Sequence, residues 1–174
     1  MSMRTRQSQV DVREVTFIEI SARSSGEWCR LLLEESTGMV QLISSCGTYS
    51  YQWASIGERT LAQFLAGCDS DYLGRKFLGT EIRVPDETES AKFIRERVVE
   101  MRRSGELSSD EAREEYELAK ELGHGGISWD EWCCDTNLGD AWEYRMTKIN
   151  PQWVRFWELL WEPMVRPVLK NHHR

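Results

Sequence analysis

Residues 28–54, WCRLLLEESTGMVQLISSCGTYSYQWA, decide the fold. Three runs rich in apolar, β-branched and aromatic residues are separated by two short polar turns, Glu35-Ser36-Thr37-Gly38 and Ser45-Cys46-Gly47. This spacing predicts strands over Trp28–Leu33, Met39–Ser44 and Thr48–Ala54, joined as hairpins. In the last run Tyr49, Tyr51 and Trp53 share one face by period-2 alternation, and Ser50, Gln52 and Ala54 share the other. Upstream, Val15–Ile20 (VTFIEI) reads as a further strand, separated from Trp28 by the turn signal Ser24-Ser25-Gly26. An antiparallel meander of about four strands needs helices over its apolar face.

Working outward, the cover follows at once. Thr60–Ala66 has Leu61, Phe64 and Leu65 at helical spacing, and Asp69-Ser70-Asp71 can cap a second short helix carrying Tyr72, Leu73, Phe77 and Leu78. Beyond Pro85 the pattern turns helical. Asp86–Arg103 carries Phe93, Ile94, Val98 and Met101 on one stripe, Ser104-Gly105 breaks it, and Ser109–Leu122 follows, closed by Gly123-His124-Gly125-Gly126. Ser128–Asp135 reads as a Ser-capped short helix and Trp142–Thr147 as a strand. Asn150-Pro151 starts a last helix, which Pro163 and Pro167 should kink or end. The expectation is an α+β fold: a loose polar terminus over 1–12, then one domain over 13–174. Within that domain, 13–84 hold the sheet and short helices, and 85–174 the mainly helical part.

The chain of 174 residues has a formal charge of −7, which argues against general phosphate-backbone binding. Direct nucleic-acid binding is therefore not expected, whereas a basic protein surface is an allowed partner. No run approaches the ~18–20 apolar residues of a membrane span. A polar, basic beginning does not read as a signal peptide, so a cytoplasmic chain is expected. The five cysteines are irregularly spaced without a C-x-x-C pair, which reads as reduced thiols with no zinc site. Cys133 and Cys134 are adjacent and point about 100° apart on a helix. His124 sits in a glycine-flanked turn without a local nucleophile pattern. Asp69 and Asp71 are explained by capping. No catalytic, cofactor-binding or metal-ligating residue is named on this reading, and no cofactor is expected.

Two surfaces remain. Between Glu106 and Glu121 there are seven acids (Glu106, Asp110, Glu111, Glu114, Glu115, Glu117, Glu121) against Arg113 and Lys120. The i,i+4 pairs Asp110–Glu114, Glu111–Glu115 and Glu117–Glu121 are like-charged, each a cost of a few tenths of a kcal/mol in an isolated helix. An ordinary solvated helix face is the plain reading; a field used to meet a basic partner is the functional one. The second surface is aromatic. Six of the eight tryptophans lie after residue 128, and Trp153, Trp157 and Trp161 line one side of the last helix. Such a stripe serves as core, or as anchors for a partner or for a second copy in a homodimer.

The string Tyr51-x-Trp53, Gly57, Phe64-Leu65, Cys68-Asp69-Ser70-Asp71-Tyr72-Leu73 and Lys76 resembles an uncharacterised group of small proteins carried by temperate phages and prophages. The likeness covers about a sixth of the chain, and no site residue carries over from it. It implies a context: accessory phage proteins of this size act on host machinery or on bacterial defence, as anti-CRISPR proteins do. The leading expectation is thus a non-enzymatic inhibitor of a host or bacterial-defence protein, using the acidic helix and the tryptophan anchors. The competing expectations are a small cytosolic enzyme with Cys or carboxylate chemistry in a sheet–helix pocket, and a structural homodimer built on the last helix.

Overall fold

A computed structural model describes residues 12, 14–22 and 25–172. Most of the expected loose terminus, and Ser24 of the first turn, lie outside the described residues. The fold is α+β. Four strands form an antiparallel meander in the order β1-β2-β3-β4: β1 Thr16–Ser21, β2 Trp28–Glu34, β3 Met39–Ser44 and β4 Gly47–Gln52. A second sheet pairs β5 Arg83–Pro85 with β6 Thr147–Ile149. The helices are α1 Leu61–Gly67, α2 Ser70–Leu78, α3 Glu87–Ser104, α4 Ser109–Gly123 and α5 Trp129–Asp135. They are followed by the C-terminal run α6 Pro151–Phe156, a π-helical stretch Trp157–Val165 and α7 Arg166–Asn171. The chain divides into two compact units: unit 1 comprises the chain to Ile82 and from Pro151 onward, and unit 2 is Arg83–Asn150. The last helix, grouped by sequence with the helical part, belongs instead with the sheet.

Unit 1 follows from the pleat. Cys29, Leu31 and Leu33 of β2, Val40 and Leu42 of β3, and Tyr49 of β4 alternate onto one buried face. Gly38 closes the β2–β3 hairpin at φ 71°; a Cβ there would stand 2.0 Å from the Trp53 carbonyl oxygen, so no side chain fits. Helix α1 starts with a capping box between Thr60 and Gln63, and the Glu35 carboxylate of the hairpin also accepts from Leu61 N–H at 2.9 Å. Asp69 caps α2 by accepting from Tyr72 N–H at 2.7 Å, as the sequence implied. The helices and the C-terminal run supply Leu61, Leu65, Leu73, Trp153, Phe156, Leu160, Trp161, Val165 and Leu169 to the core.

The prolines do not end the last helix. Pro163 has no N–H to donate, and the surrounding turns widen to i→i+5 bonding before ordinary α-helix resumes at Arg166. Within this run Trp157 and Trp161 stack with centroids 5.7 Å apart, and the Arg166 guanidinium lies 5.1 Å from the Trp157 ring.

Unit 2 is a helical hairpin, α3–α4, with α5 packed beside it. Its core is Ala91, Ile94, Val98, Ala112, Ala119, Leu122, Trp129, Trp132 and Leu138. A Cβ on Gly123 would stand 2.9 Å from that of Ala91, so glycine permits the close helix approach. Capping boxes start α4 (Ser108 with Glu111) and α5 (Ser128 with Glu131). Gly105, left-handed at φ 83°, terminates α3. Ser90 Oγ donates to the Asp86 carbonyl at 2.7 Å and accepts from Met146 N–H at 2.9 Å, pinning the approach to β6 against the start of α3. The strand expected over Trp142–Thr147 is a 3₁₀ turn, Ala141–Tyr144, and only Thr147–Ile149 is extended.

Candidate functional site

The α4 helix sorts its acids by helical phase. Asp110, Glu114, Glu117 and Glu121, at i, i+4, i+7 and i+11, share one exposed stripe. Glu117 is paired with Lys120 at 2.9 Å; Asp110, Glu114 and Glu121 have no ion-pair partner among the described residues. The other three acids hold structure. Glu106, ahead of the helix, accepts from Ser104 Oγ at 2.6 Å. Glu111 closes the capping box, accepting from Ser108 N–H at 2.7 Å, and its carboxyl is held below the usual range by its hydrogen bonds to Ser108.

Glu115 corrects the sequence reading most sharply. Sequence groups it with the acidic field, yet it is only 3% exposed. Its two oxygens accept from Thr136 Oγ1 at 2.6 Å and from the Asn137 N–H at 2.7 Å. Glu115 therefore fastens the segment after α5 to α4, and its place four residues after Glu111 reflects that contact rather than a charge display. The acidic stripe is four residues wide, not seven.

The tryptophans need a similar correction. Trp153 is 1% exposed and Trp161 0%, and Trp157 is half-buried against that same core. Trp153 Nε1 donates to Ser70 Oγ at 3.0 Å, and its ring meets Tyr49 edge-on at 5.4 Å. The stripe is interior to unit 1, because the amphipathic face of the last helix is the second cover that the sheet requires. Trp153 and Trp161 are therefore core side chains of unit 1 and not exposed anchors. The well-exposed indole is Trp142, at 71%. The strand expected there hides Trp142 as a site, and its polar neighbours Asp140 and Glu143 are the signal that marks it as a turn residue.

Sequence reasoning also missed a polar cluster in unit 1. Ser45 Oγ donates to Glu27 Oε2, Arg155 Nη2 donates to Glu27 Oε1 at 2.9 Å, and Gln152 Nε2 donates to the Cys46 carbonyl at 2.7 Å. The Ser45 hydroxyl, and after it Arg155, hold the Glu27 carboxyl below the usual carboxylate range. Cys46 Sγ lies 3.8 Å from Glu27 Oε2; burial, and then the Glu27 charge, push its thiol up. A thiol kept protonated beside an anion is a poor nucleophile, and the cluster works as a clasp between the β1–β2 loop, the β3–β4 turn and α6.

Three of the remaining thiols follow the same rule, and the fourth, Cys134, is exposed. Burial pushes Cys29 up to about 12 and raises Cys68 and Cys133. His124 caps the end of α4 through its backbone N–H and is exposed. Among the described residues no group of three His, Cys, Asp or Glu side chains is arranged to hold a metal ion. No helix among them is long and apolar enough to cross a membrane.

A protein-family model matches the chain. The model of a family described as "Phage family" fits residues 8–171, nearly the whole chain and far more than the string of motifs around Tyr51–Lys76. No curated protein and no solved structure matches.

Proposed function

The chain belongs to this phage protein family, and from that premise we propose that it is a non-enzymatic binding protein which occupies the surface of a host or bacterial-defence protein inside the bacterial cell, as an anti-CRISPR inhibitor does. The contact surface is on unit 2. The observation that carries the reading is the α4 stripe: Asp110, Glu114 and Glu121 stand exposed without ion-pair partners, on a helix whose other acids are all engaged. Exposed like charges in register are unfavourable in the free protein and become favourable against a basic surface. Exposed Trp142 supplies an aromatic contact of the kind enriched at binding hot spots. The raised thiols and the engaged Glu27 support binding over Cys or carboxylate catalysis, since each such group is committed to packing or to a partner.

The test is capture from bacterial lysate by the immobilised full chain, compared with Glu114→Lys/Glu121→Lys. One dominant partner is expected, weakened by salt and by the double change. Capture that ignores both the salt and the substitutions overturns the role of the stripe.

A further inference from the structure

The face of α4 beside the acidic stripe has the opposite character. Between α3 and α4 runs a shallow two-part groove, with volumes of about 540 and 400 Å³, whose parts share Val99, Arg103 and Tyr116. Its floor is apolar: Val98, Val99, Ala112 and the Tyr116 ring. Val99 and Tyr116 are unusually exposed for such residues, at 37% and 39%. Its walls carry Lys92 and Arg95 toward one end, and Arg102, Arg103 and Arg113 toward the other.

What distinguishes this groove is the balance of pairing. Its acids are largely spoken for: Glu100 is held by Arg97 at 3.0 Å and Glu117 by Lys120 at 2.9 Å. The guanidiniums are not. Arg102, Arg103 and Arg113 have no carboxylate at ion-pairing distance among the described residues, and Arg95 rests on the Tyr116 ring at 6.0 Å. Two of the free arginines, in the last turn of α3, also suit the helix dipole. Arg113 has no such support, because it sits in the first half of α4, far from the C-terminal turn. In a chain of net charge −7, three unpaired guanidiniums around an apolar floor form a local reversal of sign.

We propose that the α3–α4 groove binds an acidic peptide segment of a partner protein, with its carboxylates on Arg102, Arg103 and Arg113 and an aliphatic side chain between Val99 and Tyr116. Guanidiniums pair with carboxylates in a planar, two-point geometry, and a helical or extended peptide is the occupant that presents acids and apolar side chains together. A nucleic-acid strand fits less well: Glu96, Glu100 and Glu117 interrupt the basic wall and repel a continuous line of phosphates. The proposal rests on the reading of the helical hairpin as the contact surface, and gives that surface a second, oppositely charged half.

Fluorescence anisotropy on the full chain tests it. The probes are a fluorescein-labelled peptide of Glu and Leu in amphipathic helical order, the same peptide with Lys for Glu, and a labelled single-stranded oligonucleotide. The acidic peptide is expected to bind saturably and to weaken about tenfold or more with Arg103→Glu/Arg113→Glu, a variant whose circular dichroism should match the parent because both side chains are exposed. Conservative Arg113→Lys should lose only part of the affinity. Glu114→Lys/Glu121→Lys, which adds positive charge to α4, should not weaken binding of the acidic peptide, which separates failure of the groove from failure of the acidic stripe. Tighter binding of the oligonucleotide or of the Lys peptide, no saturable binding, or equal binding to the reversed-charge variant each overturns the proposal.

Discussion

Glu27 shows how one side chain can be decisive without being a site. Its carboxylate receives Ser45 and the Cys46 thiol from the β3–β4 turn and Arg155 from α6, two segments of unit 1 far apart in the chain. Those contacts favour the charged form, so its folded pKa lies below the unfolded value of about 4.3. The stabilisation is therefore complete above the ordinary carboxylate pKa and is lost as pH falls through the lower folded value. The thermal midpoint should decline on acidification below about pH 4.5, and Glu27→Gln should flatten part of that decline while lowering the midpoint at neutral pH. Parallel acid limbs for parent and variant would falsify the assignment. No local pattern announces this residue: it precedes Trp28 in an unremarkable loop, and its partners lie as far as Arg155 along the chain.

At the scale of the element, α4 illustrates what helical phase does to composition. Its sequence reads as a uniformly acidic helix, but the 100° step assigns neighbouring acids to different environments. Glu114 faces water and Glu115 faces α5 and the segment after it. Alanine at each position should separate them. Glu114→Ala should change stability by no more than about 0.5 kcal/mol. Glu115→Ala should cost about 2–3 kcal/mol, since it strips a buried, doubly bonded carboxylate and leaves Thr136 Oγ1 and Asn137 N–H without their acceptor. Urea unfolding followed by circular dichroism reads both, and equal effects at the two positions would show that Glu115 is not the fastening residue. The C-terminal run makes the complementary point. Its aromatic stripe and proline-opened start were legible from spacing, whereas the π-helical passage around Pro163 was not, because it depends on packing strong enough to hold the widened turns.

For the whole molecule, the connectivity of the two units carries its own consequence. Unit 2 is a continuous segment whose ends are paired in one small sheet, Arg83 opposite Ile149. It has its own core around Ile94, Leu122 and Trp132 and its own capped helices. A segment with adjoining ends and an independent core behaves as an inserted domain. The fragment Arg83–Asn150 expressed alone should show a helical circular dichroism spectrum and a cooperative unfolding transition; a spectrum of unordered chain would mean that its fold depends on unit 1. Both proposed contact surfaces lie on this segment.

The amino-acid pattern alone determined the four-strand meander, down to the limits of β3, the positions of the helices from Thr60 to Asp135, and the caps Asp69 and Ser128; the cap of α4 is Ser108, one residue ahead of the start that the pattern suggests. Alternation, helical periodicity and capping chemistry are local, and they act within a few residues. It also carried the phage kinship. Tertiary structure decided which charges and rings face water. The same acidic or indole side chain is equally acceptable to its own helix in either orientation, and only the neighbour across the contact, Thr136 and Asn137 for Glu115, Ser70 and Tyr49 for Trp153, settles whether it is buried.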